Sequence, residues 1–325
     1  MTSIARIEAA ARRLAGPALV TPLLGSAFLN DIAGRRVWIK AECLQHTGSF
    51  KFRGGWAAVS ALSADQRRRG VIAYSSGNHA QGVALAAQRH RAPCTIVMPA
   101  DAPKLKLENT RALGARLVLY DRARQNRDAI GSRIAAESGM TLIKPFDDPE
   151  VIAGQGSVGL ELAAQAAALG IGAADVLVPC GGGGLTAGIA LALEARAPGL
   201  RVRPCEPEGF DDTARSLAAG AVQRNAAAAG SICDAIVTPA PGALTFPILQ
   251  RLAGPGLVVS DDQALQAIAL AFTRLKIVLE PGGAVALAAA LFHPQAIAGE
   301  DVIVIGSGGN IDAGLFQTAL SRFGA

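Results

Sequence analysis

VLVPCGGGGLTAGIALALEA, residues 176–195, joins a β-branched apolar run to four consecutive glycines and then to an Ala-rich segment of helical periodicity. Read as strand, turn and helix, it is the repeating unit of an alternating α/β fold. Four glycines in a row, Gly181, Gly182, Gly183 and Gly184, let backbone amides turn toward one point with no Cβ in the way. The helix that follows adds the positive end of its dipole, so the loop reads as a phosphate cup. No Gly-Lys-Ser/Thr follows, which excludes a P-loop. The glycines also lack GxGxxG spacing, although Glu206, about 22 residues on, keeps a dinucleotide reading open.

The same alternation extends in both directions. Strands are expected at 36–40, 71–76, 94–99, 116–120, 141–145, 176–180, 201–205, 256–260 and 302–307. Helices are expected near 53–62, 78–91, 103–112, 123–138, 155–169, 184–197, 244–253, 261–275, 283–292 and 311–322, and the N-terminal stretch reads as an amphipathic helix. The strands are apolar almost throughout, as buried parallel strands are. The expected fold class is therefore α/β, with parallel sheets and helices on both faces. Residues 70–147 form a self-contained run of strands and helices. They read as a small domain inserted into a larger one made of residues 1–69 and 148–325.

The chain has 325 residues, half of them hydrophobic, which is ample for a sizeable core. No apolar run reaches the ~18–20 residues of a membrane span, and the N-terminus lacks a secretory signal pattern, so a cytoplasmic, non-membrane protein is expected. The net charge of +5 comes from arginines scattered on helix faces, without a basic run interleaved with aromatics. Nucleic acid is thus not an expected partner, whereas a small anionic ligand is. Cys43, Cys94, Cys180, Cys205 and Cys233 form no CxxC pair and read as reduced and buried.

Two further loops carry chemistry. In Ser49-Phe50-Lys51-Phe52-Arg53-Gly54-Gly55 a lysine stands between two aromatic rings. Desolvation there disfavours the ammonium and suits imine formation and proton abstraction. In Ser75-Ser76-Gly77-Asn78-His79-Ala80-Gln81-Gly82 a strand ends and a helix begins, with free amides suited to a carboxylate.

With these loops, the chain resembles the fold-type II pyridoxal-phosphate enzymes, in the serine/threonine dehydratase and serine racemase family. SFKFRGG, SSGNHAQG, VIAGQGSVGLEL, PCGGGGLTAG, EPEGFDD, EPGGAVALAA and IGSGGNID occur in the family's order across nearly the whole chain. The resemblance implies pyridoxal 5'-phosphate held as a Schiff base by Lys51, with Phe50 against its ring and Asn78 on its phenolic oxygen. Gly181 to Gly184 should hold the phosphate, Ser307 should face the pyridine nitrogen, and Glu280 should be an acid near the cofactor. Ser75, Ser76, Gly77, Asn78 and His79 should hold the substrate carboxylate. Ser76 is also where a racemase carries a second proton-transfer group.

The implied reaction is α,β-elimination of L-threonine or L-serine to a 2-oxo acid and ammonia. Serine racemisation and 3-hydroxyaspartate ammonia-lyase chemistry remain open on the same scaffold. β-Replacement fits the lysine and serine–asparagine loops less well, and a cofactor-binding protein without activity is at odds with an intact Lys51. Arg127 matches an arginine able to meet a second carboxylate, but within QNRDAIGSR it reads first as a helix-surface arginine. At EPEGFDD the resemblance implies Mg2+ or Ca2+ on the side chains of Glu206 and Asp212 and the Phe210 carbonyl, chemistry that suits hard cations. It also implies a homodimer or homotetramer, and a chain without the regulatory extension of biosynthetic threonine dehydratases.

Overall fold

The computed structural model describes residues 2–75, 77–102, 104–121 and 124–324. Among them the strands β1 (Leu23–Gly25), β2 (Arg36–Lys40), β3 (Val71–Tyr74), β4 (Cys94–Pro99), β5 (Arg116–Tyr120), β6 (Thr141–Leu142), β7 (Ala174–Pro179), β8 (Leu200–Pro207), β9 (Leu257–Val259) and β10 (Asp301–Ile305) form two sheets. One has the order β1-β2-β10-β7-β8-β9, the other β5-β4-β3-β6. All pairings are parallel except β1 with β2. β4, β7 and β10 are buried at every position, which explains why their sequences lack polar alternation.

Each expected strand exists; those at 36–40, 94–99 and 116–120 have the expected ends and the other six are shifted. β6 stops at Leu142, because the chain then leaves the sheet and carries Lys144–Phe146 toward the glycine loop. The helix expected from 155 starts six residues earlier, at Pro149, where the Asp148 carboxylate accepts the amides of Glu150 and Val151 and proline takes the first turn. The helix expected over 261–275 is α-helical to Leu270 and continues as a π-turn over Ala271–Leu275. Edge strand β1 and the short helices Ala27–Ala33, Ala64–Arg69 and Asp212–Ala219 were not expected. Each is three to eight residues long, too short to show a period.

Small residues bring the loops that carry chemistry together. A Cβ on Gly82 would stand 2.8 Å from the Lys51 carbonyl, and one on Gly154 would overlap the Arg53 carbonyl. The helix Lys51–Ala61 therefore packs backbone to backbone between Asn78–Arg89 and Pro149–Ala168. The latter packs in turn on Gly184–Arg196, the helix behind the glycine run. A larger side chain in this stack would push the lysine away from the glycines.

Candidate active site

The loop before Lys51 is laced to the turn after β10. The Phe50 amide donates to the Ser307 carbonyl at 3.1 Å, and the Gly309 amide to the Gly48 carbonyl at 2.9 Å. The Asn310 amide group donates to the Thr47 carbonyl at 2.7 Å. Gly48 has φ of +71°, and a Cβ on it would meet Asn310 Oδ1 at 2.7 Å, so only glycine fits. Lys51 opens its helix with Nζ donating to the Pro145 carbonyl at 2.7 Å and lying 5.1 Å from the centre of the Phe50 ring. Burial lowers its pKa to about 8, against the opposing charge of Glu280.

Across the cavity stands the helix Asn78–Arg89. Its first amides lack intrahelical partners, as at any helix start, and Ser75 Oγ accepts the Gly77 amide at 3.1 Å. The Asn78 side chain donates to Glu280 Oε1 at 2.5 Å and accepts from Asn310 at 2.8 Å, which fixes its orientation. One N–H of its amide group stays available to the cavity. Burial raises the Glu280 carboxyl to about 7, countered by the Asn78 hydrogen bond.

The His79 side chain is packed and hydrogen-bonded at the helix start. Its Nε2 lies 3.0 Å from the Ile143 carbonyl, and burial, aided by the Lys51 charge, lowers its pKa to about 3. The ring is therefore neutral, with its N–H spent on Ile143 and Nδ1 a bare acceptor. That side chain cannot grip a carboxylate; only the His79 backbone amide can.

The glycine loop closes the third side. Gly183, at φ +86°, caps the helix Gly184–Arg196. A Cβ on Gly182 would overlap the Phe146 ring, and one on Gly184 would lie 2.7 Å from Gln155 Oε1. The Gly182 carbonyl accepts from Thr245 Oγ1 at 2.7 Å and the Gly242 amide at 3.2 Å, so it is already satisfied. The amides opening the helix remain for an anion.

One cavity is lined by Phe50, Lys51, Ser75, Gly77, Asn78, His79, Arg127, Gly181 to Gly184, Glu280 and Ser307. Ser76 lies outside the described residues. Pro145, Phe146, Lys106 and Thr238 also line the cavity and were not singled out from the sequence. The Asp148-Pro149 helix start would have flagged the loop before it as a bridge to the site. His79 Nδ1 and Thr238 Oγ1 are buried there without hydrogen-bond partners. An amide-lined anion seat, a buried amine and unsatisfied polar atoms fit a phosphorylated pyridine aldehyde.

The expected metal loop lies apart from this cavity. The Glu206 carboxylate accepts the amides of Thr213 at 2.9 Å and Ala214 at 2.7 Å, and so caps the helix Asp212–Ala219. Asp212 Oδ1 accepts from Asn225 at 2.6 Å, while its buried Oδ2 has no partner. Among the described residues no three His, Cys, Asp or Glu side chains gather as a metal site.

A family profile described as pyridoxal-phosphate dependent enzyme matches residues 15–308. An L-threo-3-hydroxyaspartate ammonia-lyase of Saccharomyces cerevisiae is 41% identical over 93% of this chain and 91% of its own length. A threonine deaminase from T.th. superposes with a TM-score of 0.89 at 45% identity, over 95% of this chain and 99% of that one. Maize serine racemase superposes with a TM-score of 0.90 at 34% identity, covering 99% and 97%. With a buried lysine, an amide-lined anion seat and these likenesses along nearly its whole length, the chain belongs to the fold-type II pyridoxal-phosphate-dependent enzymes, the family that holds serine racemase, threonine deaminase and L-threo-3-hydroxyaspartate ammonia-lyase.

Proposed function

We propose that this enzyme is an ammonia-lyase for β-hydroxy amino acids and that L-threo-3-hydroxyaspartate is its preferred substrate. The observation that carries the choice is Arg127, a guanidinium lining the same cavity as Lys51. The relative of that activity adds support. Residues 70–147 act as a small inserted domain on the remainder, a division that the two separate sheets support.

Pyridoxal phosphate, when bound, supplies an electrophilic aldehyde and a sink for electrons from Cα. The chain supplies the rest. Amides at the start of Gly184–Arg196 would hold the phosphate, and Phe50 would flank the ring. Asn78 presents its remaining N–H, oriented by Glu280 and Asn310. Ser307, which lines the cavity, would offer the ring nitrogen a hydroxyl rather than a carboxylate, chemistry that would favour prompt loss of a β-leaving group over transamination. The backbone amides of Asn78 and His79, at the helix start, take the substrate's α-carboxylate. Lys51, its pKa lowered by burial, takes the Cα proton at Nζ. Loss of water from 3-hydroxyaspartate gives an enamine, whose imine tautomer takes up a water and releases ammonia to leave oxaloacetate.

A panel reading 2-oxo acid, ammonia and enantiomer composition tests this. The expected kcat/KM for L-threo-3-hydroxyaspartate exceeds those for L-serine and L-threonine at least about tenfold, the size of one charge-assisted contact. Faster elimination from serine or threonine makes the enzyme a dehydratase instead, and D-serine as main product makes it a racemase.

The loop at 206–212 we read as a structural Mg2+ or Ca2+ site, using Asp212 Oδ2 with Glu206 and the Phe210 carbonyl. Its support is the buried, unpartnered oxygen. Magnesium added to chelator-treated holoenzyme is expected to stabilise it by about 2.7 kcal/mol at a hundredfold excess over Kd, and not to stabilise Asp212→Asn. An unchanged melting temperature in the parent enzyme removes the site.

A further inference from the structure

We infer that Lys106 is a second determinant of substrate choice, a cation that receives a carboxylate on the substrate's β-carbon together with Arg127. The inference rests on the reading of the cavity given above and names a residue to which that reading gives no role.

Lys106 lies on the helix Lys104–Ala112, which follows β4 in the four-stranded sheet. Two residues are about 200° of helical turn, so Lys104 and Lys106 point to opposite faces. Lys104 is 90% exposed and lies 3.7 Å from Glu108, an ordinary surface pair. Lys106 is half-buried and lines the cavity of Lys51. Its Nζ stands 3.8 Å from the place a Cβ on Gly77 would occupy, so the ammonium hangs beside the serine–asparagine loop. Among the described residues it has no ion-pair partner, and its charge acts on Glu280 across the cavity.

Arg127 comes to the same cavity from another helix, Arg127–Ser138. Its guanidinium lies 5.7 Å from the centre of the Tyr74 ring and 3.8 Å from a carboxylate oxygen of Asp128. Two cations thus reach the cavity from two helices of one sheet. The acids facing them are Glu280, already engaged by Asn78, and Asp234. With the amides of Asn78 and His79 committed to the α-carboxylate, these cations are suited to a second one. Serine or threonine would leave them uncompensated as the site dries, whereas hydroxyaspartate pairs with them.

The test compares holoenzyme of the parent, Lys106→Met and Lys106→Arg. The ratio of kcat/KM for L-threo-3-hydroxyaspartate to that for L-serine is expected to fall ten- to a hundredfold in Lys106→Met, mainly through KM, and to recover in large part in Lys106→Arg. Calorimetry with succinate and propionate gives a readout free of turnover. Lys106→Met is expected to lose affinity for succinate at least tenfold more than for propionate. Equal losses for both substrates and both acids, or no change in either ratio, overturn the inference. A parent enzyme that prefers serine sinks the substrate reading, while the succinate-to-propionate comparison still decides the role of Lys106.

Discussion

Lys51→Ala is expected to turn over its substrate at least about 10³-fold more slowly than the parent chain, with borohydride no longer fixing the cofactor to the protein. The size follows from two losses at one atom: the covalent anchor and the group that takes the Cα proton, a role worth about 10²–10⁴ in rate by itself. An imine forms from a neutral amine. With a pKa of about 8, about one Lys51 in ten is neutral at pH 7, against about one in 3,000 at the ordinary lysine value. Cofactor uptake by the apoprotein, followed by the absorbance of the bound chromophore, is therefore expected to speed up with pH and to level off above about 8. A profile still rising steeply at pH 10 means that the lysine is not buried as described. Lys51→Arg separates the charge from the chemistry: it retains a cation beside Pro145 and Glu280 but forms no imine, and is expected to be as inactive as alanine.

How far the sequence foretells this site depends on the kind of interaction. The glycine run, the lysine between Phe50 and Phe52 and the serine–asparagine loop are local signals, each complete within about eight residues. Their strand–helix contexts were legible for the same reason. Contacts made by chain segments far apart were not. Pro145 meets Lys51 across 94 positions, and Asn78 meets Glu280 across 202. No period or spacing encodes such distances. His79 shows the second limit. A histidine at a helix start reads as a ligand or a packed residue according to which carbonyl lies beside it, and only the fold places Ile143 there. Lys106 shows a third: two lysines two positions apart look alike in the sequence, and helix rotation sends one to solvent and the other to the cavity.

Glu42→Ala is expected to cost about 3–5 kcal/mol, a large share of the ~5–15 kcal/mol that holds a typical domain together. Arg53, two residues beyond Lys51 on the same helix, is 1% exposed, and the Glu42 side chain is fully buried. Arg53 donates Nε to Glu42 Oε2 and one Nη to Glu42 Oε1, both at 2.8 Å. Its guanidinium also reaches Glu161, which accepts from the fully buried Lys40 at 2.6 Å. Two cations thus share two carboxylates, with Thr21 Oγ1 donating to Glu42 at 2.6 Å. Burial alone would raise the Glu42 pKa, but the charge and hydrogen bonds of Arg53 outweigh it and hold the carboxyl below its ordinary value. A carboxyl depressed on folding contributes stability above its unfolded pKa and loses it as pH falls through the folded one. Truncating Glu42 leaves two cations with one carboxylate, and the orphaned charge supplies most of the penalty. Glu42→Gln keeps one acceptor and is expected to lose less. Urea unfolding of both variants at pH 7 and at acid pH gives the comparison. The gap between parent and Glu42→Ala is expected to narrow below the usual carboxylate range. A loss under about 1 kcal/mol, or a gap independent of pH, means that this network does not hold the lysine helix in place.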